Sequence, residues 1–168
     1  ENKYEAYEEY CAYGGLPMIL NKKTSSEKSA YLKDLLTKTY VNDVIERNNL
    51  KGDIVIDNLV DILASSIGSL TNPLKLSNTF KSNNIKVTDK TISIYIDYLI
   101  DAFIINKAKR YDIKGKKYIN SPFKYYFTDI GLRNAKLNFR QIEKTHIMEN
   151  IIYNELLVRG FNVDVGIV

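Results

Sequence analysis

A mainly α chain with a small β component is what this sequence predicts, on three observations. Apolar residues recur at three- and four-residue spacing through three stretches between Tyr31 and Phe103. A strand-like pair follows, "FIINKAKRYD" and "KKYINSPFKYYFTD", parted at Lys114-Gly115. With 168 residues, 45% hydrophobic and 26% charged, the chain can bury the core of one ordinary domain or two small ones.

The opening "YEEYCAYGGLPMIL" reads as a short amphipathic piece that breaks at Gly14, Gly15 and Pro17, which are turn residues. A polar loop follows, in which Ser25 or Ser26 can cap the next helix. That helix runs from Tyr31 to Arg47 with Leu32, Leu35, Leu36, Thr39, Tyr40 and Val44 on its apolar side, and ends in the loop "NNLKGD". Ile54–Leu70 is helical by period, with Leu59, Val60, Leu63 and Ile67 inward. Asn72-Pro73 is an N-cap followed by proline at the first helical position, opening a short helix. Thr88 caps a third helix to about Phe103, with a stripe of Ile92, Tyr95, Ile96, Leu99, Ile100 and Phe103.

Three helices and then a hairpin is the order of a winged helix-turn-helix, and Asp53–Thr128 fits it at each element. Ser121-Pro122 marks a bulge or an edge in the second strand. Beyond the hairpin come a loop and a helix from about Thr145 to Arg159, with Met148, Ile151, Ile152 and Leu156 inward and Gly160 as its closing residue. The last run, "FNVDVGIV", alternates like a strand entering a new sheet.

Composition removes several function classes. One cysteine, Cys11, excludes an intrachain disulfide and a cysteine zinc site, and one histidine, His146, excludes a histidine-rich metal site. No apolar run reaches the roughly 18–20 residues of a membrane span, and no signal-peptide pattern is present, so a cytoplasmic location without membrane contact is expected. Neither GxxxxGK[ST] nor GxGxxG occurs. The chain starts at Glu1 rather than Met and stops inside a strand-like run, which reads as a piece of a larger protein.

A net charge of +4 permits nucleic-acid binding without demanding it. The most basic stretch carries Lys107, Lys109, Arg110, Lys114, Lys116 and Lys117 against the single acid Asp112, with Tyr111 and Tyr118 interleaved. On a wing, such residues neutralise phosphates of duplex DNA; on a bare edge, lysines guard against strand addition. The third helix presents Asp89, Lys90, Thr91 and Ser93 and then Asp97 and Asp101, and only its N-terminus can enter a groove. Docking to a protein or self-association through the helical faces is therefore carried beside DNA binding. Asp43 and Arg47 are spaced to pair along one helix. Glu149 sits near an apolar face and needs a partner or a role. In "KYYFTDIG" the residues Thr128 and Asp129 suit bonds to nearby backbone amides, with Gly131 freeing the chain to leave the sheet.

Taken in order, "YEEYCAYGGLPMIL", "YVNDVIER", "TISIYIDYLIDAFII", "SPFKYYFTDIGLRNA" and "MENIIYNELLVRG" resemble the C-terminal region of bacterial and archaeal AAA-type P-loop ATPases that carry the domain of unknown function 4143. The resemblance implies an ATP-binding domain before Glu1, with ATP and magnesium used by that parent protein and no cofactor in this chain. It also implies that the Glu149 helix and the strand Phe161–Val168 open a truncated α/β domain similar to PD-(D/E)xK nucleases. Glu149 matches the helix glutamate of such folds; Asp164 does not match the catalytic aspartate, and the remaining acidic and ExK positions fall on later strands. The division that follows is a helical segment over 1–52, a winged helix-like unit over 53–130 and a nuclease-like start over 131–168. The expected function is a non-catalytic adaptor or regulatory region docking nucleic acid or protein, with a nuclease remnant or a pure interaction and oligomerisation module as the alternatives.

Overall fold

The computed structural model describes residues 2–50, 53–140 and 143–167, and over them the chain is mainly helical with a small β component. Helix α1 (Lys3–Tyr13) is started by Asn2, whose side chain accepts from the Tyr4 amide, and stops at Gly14, which takes φ of 75°. A 3-10 turn follows at Pro17–Asn21.

Next comes one long helical rod. Helix α2 (Ser25–Asp34) is capped by Thr24 rather than by Ser25 or Ser26. Thr24 Oγ1 accepts from the Glu27 amide, and Glu27 Oε2 accepts from the Thr24 and Lys23 amides, a reciprocal box that opens the helix six residues before Tyr31. The rod continues through a π-helical stretch (Leu35–Val41) into α3 (Asn42–Arg47). Its buried positions are Leu32, Leu36, Val41 and Val44, so the π turn inserts a five-residue step and brings Val41 inward where a regular helix would bring Thr39 and Tyr40. Of the "NNLKGD" loop, Lys51 and Gly52 lie outside the described residues.

Helix α4 (Asp53–Ser65) buries Ile56, Leu59, Val60, Leu63 and Ala64. It stops five residues short of Leu70. The Ser65 and Ser66 hydroxyls both donate to the Ile62 carbonyl, at 3.0 and 2.6 Å, and Gly68 then turns the chain at φ 71°. Asn72 caps α5 (Pro73–Ser82), accepting from the Lys75 amide at 2.7 Å, and Thr88 caps α6 (Asp89–Asp101), accepting from the Thr91 amide at 3.1 Å. Ile92, Ile96 and Leu99 of α6 are buried. Phe103 is not part of that stripe: it lies past the helix end and is 78% exposed.

Strands β1 (Ile105–Asp112) and β2 (Lys117–Phe127) form the antiparallel hairpin, in register from Ile105 opposite Phe127 to Asp112 opposite Lys117. The register shifts between Ala108 and Arg110, opposite the part of β2 that contains the cis Ser121–Pro122 bond. There Phe123 leaves β1 and exchanges two 2.8 Å backbone hydrogen bonds with Thr71. Tyr125, Tyr126 and Phe127 are all buried, because both faces of β2 are covered. Tyr126 stacks on Tyr153 at 4.3 Å, whereas burial and the nearby Asp97 of α6 push the Tyr125 hydroxyl well above the ordinary tyrosine value.

The loop expected after the hairpin is instead a helix, α7 (Ile130–Lys136), buried over Ile130–Ala135. Asp129 is its N-cap and also accepts from the Gly15 amide, at 2.8 Å, so one carboxylate joins two chain segments. Gly131 serves close approach rather than an exit from the sheet: a Cβ there would stand 2.0 Å from the Tyr13 carbonyl oxygen. Thr128 donates to the Phe103 and Ile104 carbonyls instead of accepting from an amide. Asn134 donates to the Cys11 and Ala12 carbonyls at 2.8 and 2.9 Å, and Arg133 donates to the Ala64 carbonyl at 2.9 Å.

Helix α8 (Lys144–Val158) turns Ile147, Asn150 and Tyr153 inward, while Met148 and Ile152 are about half exposed. The inward face is thus rotated from the expected Met148–Ile152 side. What rotates it is Asn150, which brackets the Phe127 backbone, accepting from its N–H and donating to its C=O at 2.8 Å each. Asn154 adds a bond to the same carbonyl at 2.7 Å. Strand β3 (Val165–Ile167) does not enter a new sheet; it pairs in parallel with β1, giving the order β2-β1-β3. No helix among the described residues is long and apolar enough to cross a membrane.

Candidate nucleic-acid interface

The hairpin reverses over residues 113–116, where Asp112 Oδ1 accepts from the Gly115 amide at 2.9 Å and is thereby committed to the turn. Lys114, Lys116 and Lys117 lie at the tip and are exposed. Lys109 is exposed too, its ammonium 5.9 Å from the centre of the Tyr118 ring, which in turn packs edge-on against Tyr111 at 5.2 Å. None of these four lysines makes an ion pair among the described residues. The tip gathers four exposed lysines on an aromatic base, with Asp112 directly opposite Lys117 across the hairpin.

The rest of the basic stretch is placed differently. Lys107 is half-buried, with its ammonium 5.1 Å from the Phe123 ring centre. Arg110 is half-buried as well, and its buried Nε has no hydrogen-bond partner among the described residues. On α6, Lys90 is exposed in the first turn and Ser93 is half-buried. Between α5 and α6 a groove of about 930 Å³ opens, with Lys81, Lys86, Thr88 and Thr91 in its lining. Further along the same face of α6 stand the exposed acids Asp97 and Asp101. The cationic side chains therefore gather at two places, the hairpin tip and the N-terminal end of α6.

Glu149 is committed elsewhere. Its Oε1 accepts from Lys124 Nζ at 2.7 Å and from the Tyr126 hydroxyl at 2.6 Å, tying α8 to β2. Burial pushes its carboxyl up, but the Lys124 and Tyr126 hydrogen bonds, with the charges of Lys124 and His146, outweigh burial and hold it below the ordinary glutamate value. His146 lies beside it, Nδ1 at 4.0 Å from Oε2, and Nε2 is 3.5 Å from Glu143. Gly68 packs against both, since a Cβ there would meet Glu149 Oε2 at 3.0 Å and His146 Nδ1 at 3.2 Å. Among the described residues no three His, Cys, Asp or Glu side chains gather to hold a metal ion. Asp164 accepts from the Tyr118 hydroxyl at 3.0 Å, bracing the hairpin from the β3 side. The Asp43–Arg47 pair forms as spaced.

Sequence reasoning missed three features of this surface. Asp164 reaches the hairpin only because β3 joins β1, a pairing 46 residues away in sequence from Tyr118. The Lys124–Tyr126–Glu149 bond set needed the register of β2 against α8. Phe103, taken for core, was legible as an aromatic at a helix end, the position that a left-handed residue normally fills.

Residues 4–143 match the model of a domain of unknown function, DUF8612. An uncharacterized protein of Haemophilus influenzae is 37% identical over 160 residues, covering 95% of this chain and 40% of its own length. The uncharacterized protein MJ1544 of Methanocaldococcus jannaschii is 31% identical over 153 residues, covering 91% of this chain and 34% of its own length. The chain thus spans two fifths or less of these curated relatives. No solved structure matches it. The DUF8612 match over 4–143 overturns the resemblance to AAA-type ATPases with domain 4143, and neither relative carries an ATPase or nuclease description. The expectation of ATP and magnesium in a parent protein rested on that resemblance alone.

Proposed function

The chain belongs to the DUF8612 family, and we propose that it docks onto the phosphate backbone of duplex nucleic acid through the β1–β2 tip, aided by the N-terminal end of α6. The observation that carries this reading is the tip itself: Lys109, Lys114, Lys116 and Lys117 are exposed and make no ion pair among the described residues, an excess of positive charge over the turn acid Asp112. Order supports it as well. Helix α4, the Thr71 bridge to Phe123, helices α5 and α6, and then the hairpin follow one another as in a winged helix, and we read residues 53–128 as that unit.

In this reading the contact is electrostatic and indifferent to sequence. Each lysine that neutralises a phosphate releases condensed counterions, which gives affinity that falls steeply with salt. Base reading is disfavoured, because Asp97 and Asp101 would face the polyanion if α6 lay flat in a groove. On α6 Lys90 and the positive end of the dipole suit a phosphate, with Asp89 in the same turn opposing them.

Fluorescence anisotropy with mixed-sequence duplex DNA across a salt series tests the proposal. The wild type binds, and the triple variant Lys114→Glu, Lys116→Glu, Lys117→Glu binds more weakly, with a log–log salt slope smaller by about 3. Unchanged affinity and slope in that variant would refute the tip as the contact.

A further inference from the structure

Along α6, Lys90, Ile94, Asp97 and Asp101 share the solvent side at spacings of three and four residues, with the half-buried Tyr98 at its margin. Past Lys90 this face changes character. Ile94 is 48% exposed, and the carboxylates of Asp97 and Asp101 are exposed without an ion pair among the described residues. Phe103 extends the stripe just beyond the helix end.

Phe103 is also the unusual backbone position of the chain. Among the described residues six non-glycine positions take positive φ; three are asparagine, which tolerates it, and Lys116 is in the hairpin turn. Phe139 has a packing reason, its ring 5.6 Å from that of Tyr13. Phe103, at φ 55°, occupies the left-handed place where the chain leaves α6, closed by the Ile104 amide donating to Leu99 and the Phe103 amide donating to Ile100. Glycine suits that place, yet the sequence keeps a bulky aromatic there and leaves it in water. Strain of this kind points to a use for the side chain.

We propose that this apolar and acidic stripe on α6 receives the hairpin tip of a second copy of the chain. The tip is its chemical complement: Ile113 and Tyr118, 53% and 57% exposed, stand among the unpaired lysines. Ring and aliphatic surface meet Ile94, Tyr98 and Phe103, while Asp97 and Asp101 meet Lys114 and Lys116. Opposite charges around apolar anchors fix partner and register. The inference does not rest on nucleic-acid binding, but both contacts use the same tip, so a tip engaged by α6 of another copy is closed to phosphate.

Sedimentation velocity over a concentration series tests it. The wild type shows a weight-average mass that rises with concentration. Phe103→Gly weakens association by at least roughly tenfold, as loss of an aromatic anchor does, while its melting temperature rises because glycine fits the left-handed cap. A Phe103 with a merely structural role would lower the melting temperature instead. The variants Asp97→Lys with Asp101→Lys, and Lys114→Glu with Lys116→Glu, are each monomeric alone and associate when mixed, since the basic stripe of one then meets the acidic tip of the other. A wild type that stays monomeric throughout, or a mixture that stays monomeric, overturns the proposal. Duplex binding by the Asp97→Lys, Asp101→Lys variant persists in either case, which keeps this result separate from the nucleic-acid reading.

Discussion

The α7 junction and the β1–β2 tip are both rich in polar residues, and they use them in opposite ways. At the junction each polar group has a named partner: Asp129 takes the Gly15, Gly131 and Leu132 amides, Asn134 holds the end of α1, and Arg133 holds the end of α4. At the tip Lys114, Lys116 and Lys117 make no ion pair among the described residues, and Asp112 accepts from the Gly115 amide within the turn. A buried polar group must be satisfied inside the chain, whereas an exposed cation is free to be satisfied by something else. The contrast separates a part that holds the fold from a part whose cations face solvent.

Breaking the junction gives the largest expected effect. Asp129→Ala leaves three amides from two segments without their acceptor, and we expect a loss of about 2–3 kcal/mol in urea unfolding at neutral pH. Gly131→Ala attacks the same place by sterics, driving a methyl toward the Tyr13 carbonyl, and costs about the same. A loss below about 0.5 kcal/mol in both variants would mean that α1 is not held by α7.

The two partnered carboxylates sharpen the comparison through pH. Burial holds the Asp129 carboxyl above the ordinary aspartate value, its three amide bonds only partly opposing. The folded chain therefore binds that proton more tightly than the unfolded one, and the contribution is fully present at acid pH and lost as pH rises through the folded value. Glu149 is held below the ordinary glutamate value, so its contribution is present above the unfolded value and lost as pH falls through the folded one. Replacing Asp129 with Asn should thus cost most in acid and less toward neutrality. Glu149→Gln should do the reverse, reaching about 1 kcal/mol near neutrality, because a carboxylate 37% exposed keeps part of its hydration. Denaturation series between about pH 3 and pH 7 decide it; parallel curves for the two variants would contradict these environments.

Local signals were readable where the chain's own neighbours determine them. Asn72-Pro73, Thr88 and Gly160 sit at the predicted helix ends, because a cap needs only the next three residues or the one before. The hairpin and the basic tip were legible for the same reason. Helix α7 was not: seven residues carry too short a period, and its stability comes from Tyr13, Ala64 and Cys11, distant in sequence. The face of α8 was misread because its deepest inward contact is Asn150, a polar residue that imitates a neighbouring strand at Phe127. The π stretch escaped notice too, since Leu35, Thr39 and Tyr40 form a good regular stripe until Val41 is needed inside.

The smallest expected effect is at the tip, and its smallness is informative. Lys114→Gln, Lys116→Gln and Lys117→Gln together remove three charges from side chains that touch no acid among the described residues. Unfolding free energy should stay within about 0.5 kcal/mol of wild type, as for surface positions without a structural partner. If the three lysines instead stabilised the hairpin, as through Asp112 opposite Lys117, the triple change would lower the melting temperature; the Tyr118 contacts with Lys109 and Asp164 are untouched by it and are read separately by Tyr118→Phe. A tip neutral for folding whose charge governs binding is the outcome that the proposed docking surface requires, since among the described residues Lys109, Lys114, Lys116 and Lys117 make no ion pair.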